Sequence, residues 1–183
     1  MKSFFAFIWE ITKIVIIALL IVVPIRYFIF QPFFVKGQSM EPNFENNDYL
    51  IVDEISYRFR VPQRGEVIVF KNPQNPFQRY IKRIIGLPGE TVEIEDGKVI
   101  ISKDSETWVL DESAYLPPAS QTDPKGFKIL TLGQDQYFVL GDNRTNSADS
   151  RSWGALPEDE IIGRVFFRAW PITAFAKIEA PQY

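Results

Sequence analysis

Ser39 is the first residue of the chain that could act in catalysis. It lies in the polar stretch 37–42 (GQSMEP), a few residues beyond a long apolar segment. The chain contains no histidine and no cysteine, which excludes Ser-His-Asp catalysis, Cys-His catalysis and metal sites built from those residues. A nucleophilic serine here would need lysine, a carboxylate or the N-terminal amine as its base. A serine taken alone is more often a solvated hydroxyl or a turn former.

Lys82 is the basic residue whose neighbours best fit that need. In the predicted strand Tyr80–Ile85, alternation of side chains places Lys82 on one face with Tyr80 and Ile84. Burial between apolar neighbours disfavours the ammonium form and lowers its pKa, by up to about 3–5 units when burial is complete. The lysine would then be a usable general base. The competing interpretation is an exposed lysine that protects an edge strand from aggregation.

A third polar cluster follows directly after an apolar strand that ends at Leu140. Residues 141–151 (GDNRTNSADSR) combine a turn-forming Gly-Asp-Asn with two aspartates and two arginines. Taken alone, this composition is typical of a solvated loop. It points to chemistry only in combination with the two segments above.

The elements that must hold these residues begin with an apolar N-terminal segment. No charged residue occurs from Ile14 to Ile25. Trp9 and Tyr27 are separated by about 27 Å along a helix, close to the hydrocarbon thickness of a bilayer. We therefore predict a single transmembrane helix and a membrane anchor over residues 1–31. A cleavable signal peptide is the alternative, but residues 26–30 (RYFIF) lack the small side chains of a cleavage site.

The remainder, residues 32–183, predicts one mostly β domain. Short runs rich in β-branched and aromatic residues alternate with Pro, Gly, Asn and Asp, without a sustained helical period. The predicted strands are Tyr49–Asp53, Glu66–Phe70, Tyr80–Ile85, Thr91–Glu95, Lys98–Ser102, Gln136–Leu140 and Gly163–Trp170, with a hairpin turn at Asp96-Gly97. Residues 104–133 predict an irregular excursion or a small subdomain, exposed at the surface. The apolar tail Ile172–Ile178 could add a last strand.

Length, charge and cysteine content narrow the classes of function. A chain of 183 residues accommodates one anchor and one domain of about 150 residues with a true core. The net charge of −3, from 20 basic and 23 acidic residues, lacks the basic excess typical of nucleic-acid binding, so we expect no nucleic acid as a partner. The missing cysteines exclude disulfides and leave the compartment undetermined.

Five segments, taken in order, resemble the successive signature segments of bacterial type I signal peptidases. They are the N-terminal anchor and residues 37–42 (GQSMEP), 64–70 (RGEVIVF), 80–89 (YIKRIIGLPG) and 141–151 (GDNRTNSADSR). The resemblance extends to Trp170 and is weakest between Gly97 and Gly133. The short form is similar to enzymes of Gram-positive type. This family uses a Ser/Lys dyad, which accounts for a chain without histidine.

The resemblance implies a role for each matching residue. Ser39 would be the acylating nucleophile and Lys82 the general base, with Ser147 hydrogen-bonded to the lysine amine. The implied supporting ion pairs come from Asp149, Arg151, Asp142 and Arg83. The implied walls of the substrate groove are Phe33, Val35, Met40, Phe44, Tyr80 and Ile81. The backbone N–H of Ser39 would donate to an oxyanion, and Gly37 stands where some relatives have a serine as second donor.

The resemblance also implies fold and function. The chain would be a membrane-bound serine endopeptidase that removes signal peptides from exported preproteins, with an all-β catalytic domain forming a β-sandwich or a partly open barrel. An extended substrate would bind beside Tyr80–Lys82 and the segment before Ser39, without metal, nucleotide or other cofactor. The expected setting is the cytoplasmic membrane, with the domain on the extracytoplasmic side and the secretion machinery as a transient partner. Positive charges at both ends of the anchor leave its orientation in the lipid bilayer to be decided by function.

Two other functions remain compatible with the residues. One is a Ser/Lys peptidase with a dedicated substrate, such as a self-cleaving repressor, although the anchor and the lack of a helix-turn-helix pattern argue against the repressor. The other is a membrane-tethered β module that binds partners without catalysis. Such a module would not need both Ser39 and Lys82.

Overall fold

The computed structural model describes residues 2–28, 30–118, 120–181 and 183. Its first element is the helix α1 (Lys2–Phe28). The stretch Phe4–Val23 is long and apolar enough to cross a membrane, with a mean hydropathy of 2.5, and none of it is buried inside the rest of the chain. An apolar helix without protein neighbours suits a lipid environment. The side chains of Arg26 and Tyr27 lie outside the described set, so the expectation that Trp9 and Tyr27 mark the two faces of a bilayer stays a prediction.

Twelve short strands and one further helix follow α1 in the described part of the chain. In chain order they are β1 (Phe30–Phe34), β2 (Tyr49–Asp53), β3 (Val67–Asn72), β4 (Asn75–Gly86), β5 (Thr91–Glu95), β6 (Lys98–Lys103), β7 (Glu106–Val109), β8 (Ile129–Thr131), β9 (Gln136–Leu140), α2 (Ser150–Trp153), β10 (Leu156–Pro157), β11 (Ile161–Trp170) and β12 (Ala176–Lys177). Strands are short because Gly, Pro, Asn and Asp interrupt each β-branched run. The predicted mostly β fold with an apolar N-terminal helix is confirmed.

Eight strands form the main sheet, in the order β1-β2-β11-β3-β4-β9-β10, with β12 paired to β11. One edge of β4 pairs with β3 along Arg79–Arg83. On its other edge, β9 pairs with β4 only from Arg83 to Gly86. Among the described residues, that outer edge of Arg79–Lys82 therefore has no strand partner. The two ends of the sheet, β1 and β10, do not pair with each other, so the sheet is open.

A second sheet, ordered β7-β6-β5-β8, is formed by the chain between β4 and β9. Asp96 and Gly97 connect β5 to β6 with positive φ values of 49° and 76°, as a tight two-residue hairpin turn requires. Buried side chains of both sheets share one core, with Val92 and Ile101 from the second sheet and Phe138 from β9. This shared core holds the second sheet, and the loop between β7 and β8, against the main one.

The sequence-based strand assignments agree with the structure at the centres of elements and differ at ends and edges. β4 begins at Asn75 rather than at Tyr80, and β1 and β10 were not predicted. The excursion 104–133, predicted to be irregular, contains β7 and β8, so that prediction is wrong at both of its ends. These strands are too short to show a period, and pairing with β6 and β5 stabilises them. The apolar tail adds only β12.

Candidate active site

Ser39 and Lys82 meet in space although 43 positions separate them in the chain. Ser39 lies in the turn that follows β1, and Lys82 lies in β4 at the point where β9 begins to pair. The Lys82 Nζ donates hydrogen bonds to Ser39 Oγ at 2.7 Å and to the Ile81 carbonyl at 2.8 Å. Ser39 is partly exposed, whereas Lys82 is only 3% exposed. The hydroxyl can therefore be reached by a substrate while the amine stays shielded from bulk water.

Burial dominates the electrostatics of Lys82. Desolvation lowers the pKa of its amine to about 8, and the charges of Asp149 and Asp142 oppose this change. The Tyr80 ring, 5.3 Å from Nζ, forms part of the apolar surroundings. The desolvated lysine expected from the alternation along β4 is confirmed. Its neutral form is populated near neutral pH and can accept a proton.

Two arginine–aspartate pairs support Ser39 and Lys82. Arg83 donates to Asp142 at 2.8 and 2.6 Å, and Arg151 donates to Asp149 at 2.8 and 2.7 Å. All four residues are buried. Burial by itself would raise the pKa of Asp149, but the hydrogen bonds and charge of Arg151 outweigh it and hold that pKa below its usual value. Two-pronged pairs of this kind fix side-chain orientation as well as charge.

Gly141 allows the loop after β9 to pass directly against Ser39. A Cβ on Gly141 would collide with the Ser39 carbonyl oxygen and with the side chain of Ser147. The close approach is secured by the Asn143 N–H, which donates to the Ser39 carbonyl at 3.1 Å. The Gly141 N–H donates to Asp149 at 3.1 Å. The absence of a side chain at Gly141 thus lets the 141–151 segment bond to the turn that carries the serine.

Ser147 is buried in this segment but does not make the hydrogen bond to Lys82 that the resemblance implied. Its hydroxyl has no hydrogen-bond partner within the described residues. It approaches the Asp149 carboxylate closely enough to lower the pKa of that group, yet outside hydrogen-bond geometry. The Lys82 amine bonds instead to the Ile81 carbonyl on its own strand. The prediction is wrong on this point because the direction of the hydroxyl depends on the path of the loop, which spacing alone does not define.

Sequence reasoning missed a further ion pair that holds the 141–151 segment, between the buried Arg144 and the partly buried Glu112. Arg144 donates to Glu112 at 2.7 and 2.5 Å, to the Gly141 carbonyl at 3.1 Å, and to Thr122. Glu112 and Thr122 belong to the loop between β7 and β8, which therefore holds the 141–151 segment from the side of the second sheet. Arg144 lies inside a recognised motif, but no local signal indicates a partner 32 positions away.

An apolar groove of about 280 Å³ opens beside Ser39 and Lys82. Of the predicted wall residues, Phe33, Val35, Tyr80 and Ile81 line it. The lining residues that were not predicted are Phe34, Lys36, Leu50, Val69, Arg79 and Ala148.

Met40 and Phe44 do not line the groove, so this part of the prediction is wrong. They are 1% and 2% exposed and pack in the core with Val52 and Val165. Both lie in the turn after Ser39, where side chains of successive residues point in different directions. They support the groove from behind.

The backbone around Ser39 offers one donor to a developing oxyanion. The Ser39 N–H donates to no protein acceptor in the part of the chain that the structure describes. The Gly37 N–H is already bonded to the Asn46 side chain at 2.9 Å. The predicted single backbone donor is therefore available in this arrangement.

A reachable serine hydroxyl, a shielded amine that loses its proton near neutral pH and an unpaired strand edge make up the working parts of a serine peptidase without histidine. Comparison with known proteins specifies the family. The model of the family described as signal peptidase, peptidase S26, matches residues 8–170. This chain belongs to that signal peptidase family.

Individual relatives agree with the family match. A protein named probable signal peptidase I-2 from Synechocystis sp. is 41% identical over 170 residues, covering 89% of this chain and 73% of that protein. Signal peptidase IB of Staphylococcus aureus is 32% identical, with 87% of each chain covered. A crystal structure of a signal peptidase I from Enterococcus faecalis has a TM-score of 0.46 and 34% identity, covering 58% of this chain and 97% of that chain. The resemblance drawn from the motifs is confirmed.

Proposed function

We propose that this chain is a membrane-bound serine endopeptidase that removes N-terminal signal peptides from exported preproteins, with Ser39 as nucleophile and Lys82 as general base. The observation that carries the proposal is the 2.7 Å contact between Lys82 Nζ and Ser39 Oγ, made by an amine with a pKa lowered to about 8. The signal peptidase relatives support the substrate class.

Lys82 accepts and returns a proton twice in the reaction, once in acylation and once in deacylation. The neutral amine accepts the Ser39 proton as Oγ attacks the scissile carbonyl carbon, and the Ser39 N–H stabilises the oxyanion that forms. Collapse breaks the carbon–nitrogen bond, the ammonium of Lys82 protonates the leaving amine, and the signal peptide remains as an ester on Ser39. Water then attacks this ester while Lys82 accepts its proton. The second collapse breaks the ester bond to Ser39, and the proton on Lys82 returns to Ser39 Oγ. The signal peptide leaves with a new carboxyl group, which loses its own proton to solvent.

The open edge of β4 accounts for binding of an extended substrate. The backbone of Ile84 bonds towards the β3 side, to Glu66 and Gly65 at 2.9 and 2.8 Å. Because this direction alternates along an antiparallel strand, the N–H and C=O of Ile81 face the opposite, open edge. A peptide added there would place alternate side chains in the apolar groove. A groove of this size favours small or aliphatic side chains before the cut bond.

The setting of the enzyme follows from the short connection between helix and serine. Residues 1–31 would form the anchor and residues 32–183 the catalytic domain. Nine residues lead from Phe30 to Ser39, and an extended chain of that length spans roughly 30 Å. The nucleophile would therefore work close to the outer face of the cytoplasmic membrane, where cut sites leave the bilayer and the secretion machinery.

Processing of one preprotein by the purified full-length protein in detergent tests the proposal, with the new N-terminus of the product identified by sequencing. Ser39→Ala and Lys82→Ala should each abolish processing, and the double variant should be little worse because the two residues act as one unit. Lys98→Ala, at an exposed lysine, is the matched control and should process normally. A Lys82→Ala variant that is folded by circular dichroism and still cleaves at a near wild-type rate would end the Ser/Lys mechanism.

A further inference from the structure

The arrangement of β4 and β9 determines where a bound substrate must leave the sheet. A peptide beside Arg79–Lys82 occupies the same edge of β4 that β9 occupies from Arg83 onward, where Arg83 pairs with Leu140. Two strands cannot pair with one edge at the same position. The substrate backbone must therefore turn away from β4 next to Lys82, at the level of Ser39.

A second cleft is lined by residues of the same turn, from Glu41, two residues after Ser39. It has a volume of about 410 Å³ and lies between the turn after Ser39, the 141–151 segment and the loop between β7 and β8. One wall is bonded to the serine turn, since Asn143 donates from its backbone to the Ser39 carbonyl at 3.1 Å and from its side chain to the Gln38 carbonyl at 3.0 Å. We call it the exit cleft, defined by Glu41, Pro42, Pro117, Gln121, Asn143 and Thr145.

Glu41 determines the charge of the exit cleft. Asp142 and Arg144 also line the cleft, but each is neutralised by an ion pair. Asp142 pairs with Arg83 at 2.6 Å, and Arg144 pairs with Glu112 at 2.5 Å. Glu41 is partly exposed and forms no ion pair within the described residues. The defining residues other than Glu41 are uncharged. A side chain that enters the cleft therefore meets one uncompensated negative charge.

We propose that the exit cleft binds the first residues of the mature protein, those after the cut bond, and that Glu41 makes it favour cationic over acidic side chains there. The inference rests on the proposed function, because it takes the residues before the cut to fill the apolar groove. Connectivity then identifies the occupant, since a chain attacked at Ser39 and turned away from β4 continues directly into the adjoining cleft. The volume lies within the range of about 300–1,000 Å³ found for ligand sites.

Matched peptide substrates test this specificity. The peptides share one signal-peptide sequence and carry Lys, Gln or Glu at the first or at the second residue after the cut. For the wild-type protein we expect kcat/KM to be about two- to fivefold higher for Lys than for Glu at one of these positions, the size typical of an exposed ion pair. Glu41→Gln should remove the preference and Glu41→Lys should reverse it. The ratio between substrates cancels any general effect of these variants on Lys82.

Glu45→Lys is the matched control, because Glu45 is an exposed glutamate of the same turn that does not line the cleft. For this control, the ratio of kcat/KM between the Lys and Glu peptides should equal that of the wild-type protein. The preference should also shrink between about 50 mM and 500 mM salt, as an exposed charge interaction does. The inference would be overturned if the enzyme cleaves but its Lys-to-Glu ratio of kcat/KM does not depend on residue 41. It would also be overturned if Glu45→Lys shifts that ratio as much as Glu41→Lys does. The proposed function would survive either result. If neither the wild-type protein nor any variant cleaves any of the peptides, the proposed function would be contradicted, and the inference with it.

Discussion

At the scale of single residues, the environment of Lys82 decides what its amine can do. With an ordinary lysine pKa of 10.5, about one molecule in 3,000 would carry a neutral amine at pH 7. With the lowered pKa of about 8, the neutral fraction rises to about one in eleven. Desolvation therefore supplies the base that a chain without histidine lacks. Asp149 and Asp142 limit the shift, since their negative charges favour the ammonium form.

The pH dependence of processing should report this amine. Only neutral Lys82 accepts the Ser39 proton, so kcat/KM should increase with pH up to about 8 and decrease about tenfold per unit on the acidic side. The measurement is kcat/KM for one peptide across the pH range in which circular dichroism stays unchanged. Lys82→Arg should be inactive at every pH because guanidinium stays charged. An acidic limb with a midpoint below about pH 6, in a folded enzyme, would indicate a carboxylate as base instead.

At the scale of elements, the 141–151 segment connects the serine turn to both sheets. Gly141 lets it approach Ser39, Asp142 pairs with Arg83 of β4, and Arg144 pairs with Glu112 of the loop after β7. Lys125, from the same loop, donates to the Ser147 carbonyl at 2.9 Å. The loop between β7 and β8 thus holds the 141–151 segment, and through it the serine turn, in place.

Gly141→Ala should separate Ser39 from Lys82. The added Cβ would meet the Ser39 carbonyl and Ser147, and relief of such a clash costs about 1–3 kcal/mol of stability. A displacement of about 1 Å at the nucleophile can lower kcat about 100-fold. The control is Gly133→Ala in the connection between β8 and β9, where the nearest atoms belong to the flexible Gln136 side chain at 3.2 Å. Equal kcat values for the two variants would contradict the role assigned to Gly141.

Arg144→Met should destabilise the domain strongly. Glu112 would keep its charge in a largely shielded position without its partner, and removal of one member of a buried pair costs about 3–5 kcal/mol. Urea unfolding of the detergent-solubilised protein measures the loss. The control is Lys177→Met, which breaks an exposed ion pair. The side chains of Lys177 and Glu179 are 54% and 71% accessible, so this change should cost less than about 1 kcal/mol. A similar loss for both variants would show that Arg144 is not a structural link.

At the scale of the whole molecule, an apolar helix long enough to cross a membrane is joined to an open β domain by a short connection. β1 begins at Phe30, directly after α1, and Ser39 follows in the next turn. The core shared by the two sheets includes Ile85, Val99 and Leu140 and keeps groove, serine turn and supporting loop in one unit. If α1 spans the membrane as proposed, its position would determine the distance of the site from the bilayer.

The orientation of the anchor is the prediction at this scale. If the domain lies outside the cytoplasm, protease added to intact spheroplasts should digest residues 32–183 while the membrane protects the helix. Immunoblotting of the chain before and after detergent lysis measures this, with a cytoplasmic protein as the control for intact cells. Protection of the domain until the membrane is broken would contradict the proposed topology.

The sequence by itself determined the class of chemistry, the mostly β fold and most of the site. These conclusions depend on local information. The absence of histidine restricts the base, alternation along β4 places Lys82 among apolar neighbours, and the motif segments identify Arg83 and Asp149 as supporting residues. β-branched runs broken by Gly and Pro likewise predict where strands lie, although not the ends of β4.

Only the tertiary structure decided which groups touch across the chain. The directions of Met40 and of the Ser147 hydroxyl, the pairing of Glu112 with Arg144 and the exit cleft at the end of β9 all depend on the path of loops between distant segments. Side-chain periodicity defines faces within one element, whereas contacts between elements depend on how the sheets share their core. The chemistry could therefore be predicted from residue types, and its geometry only from the fold.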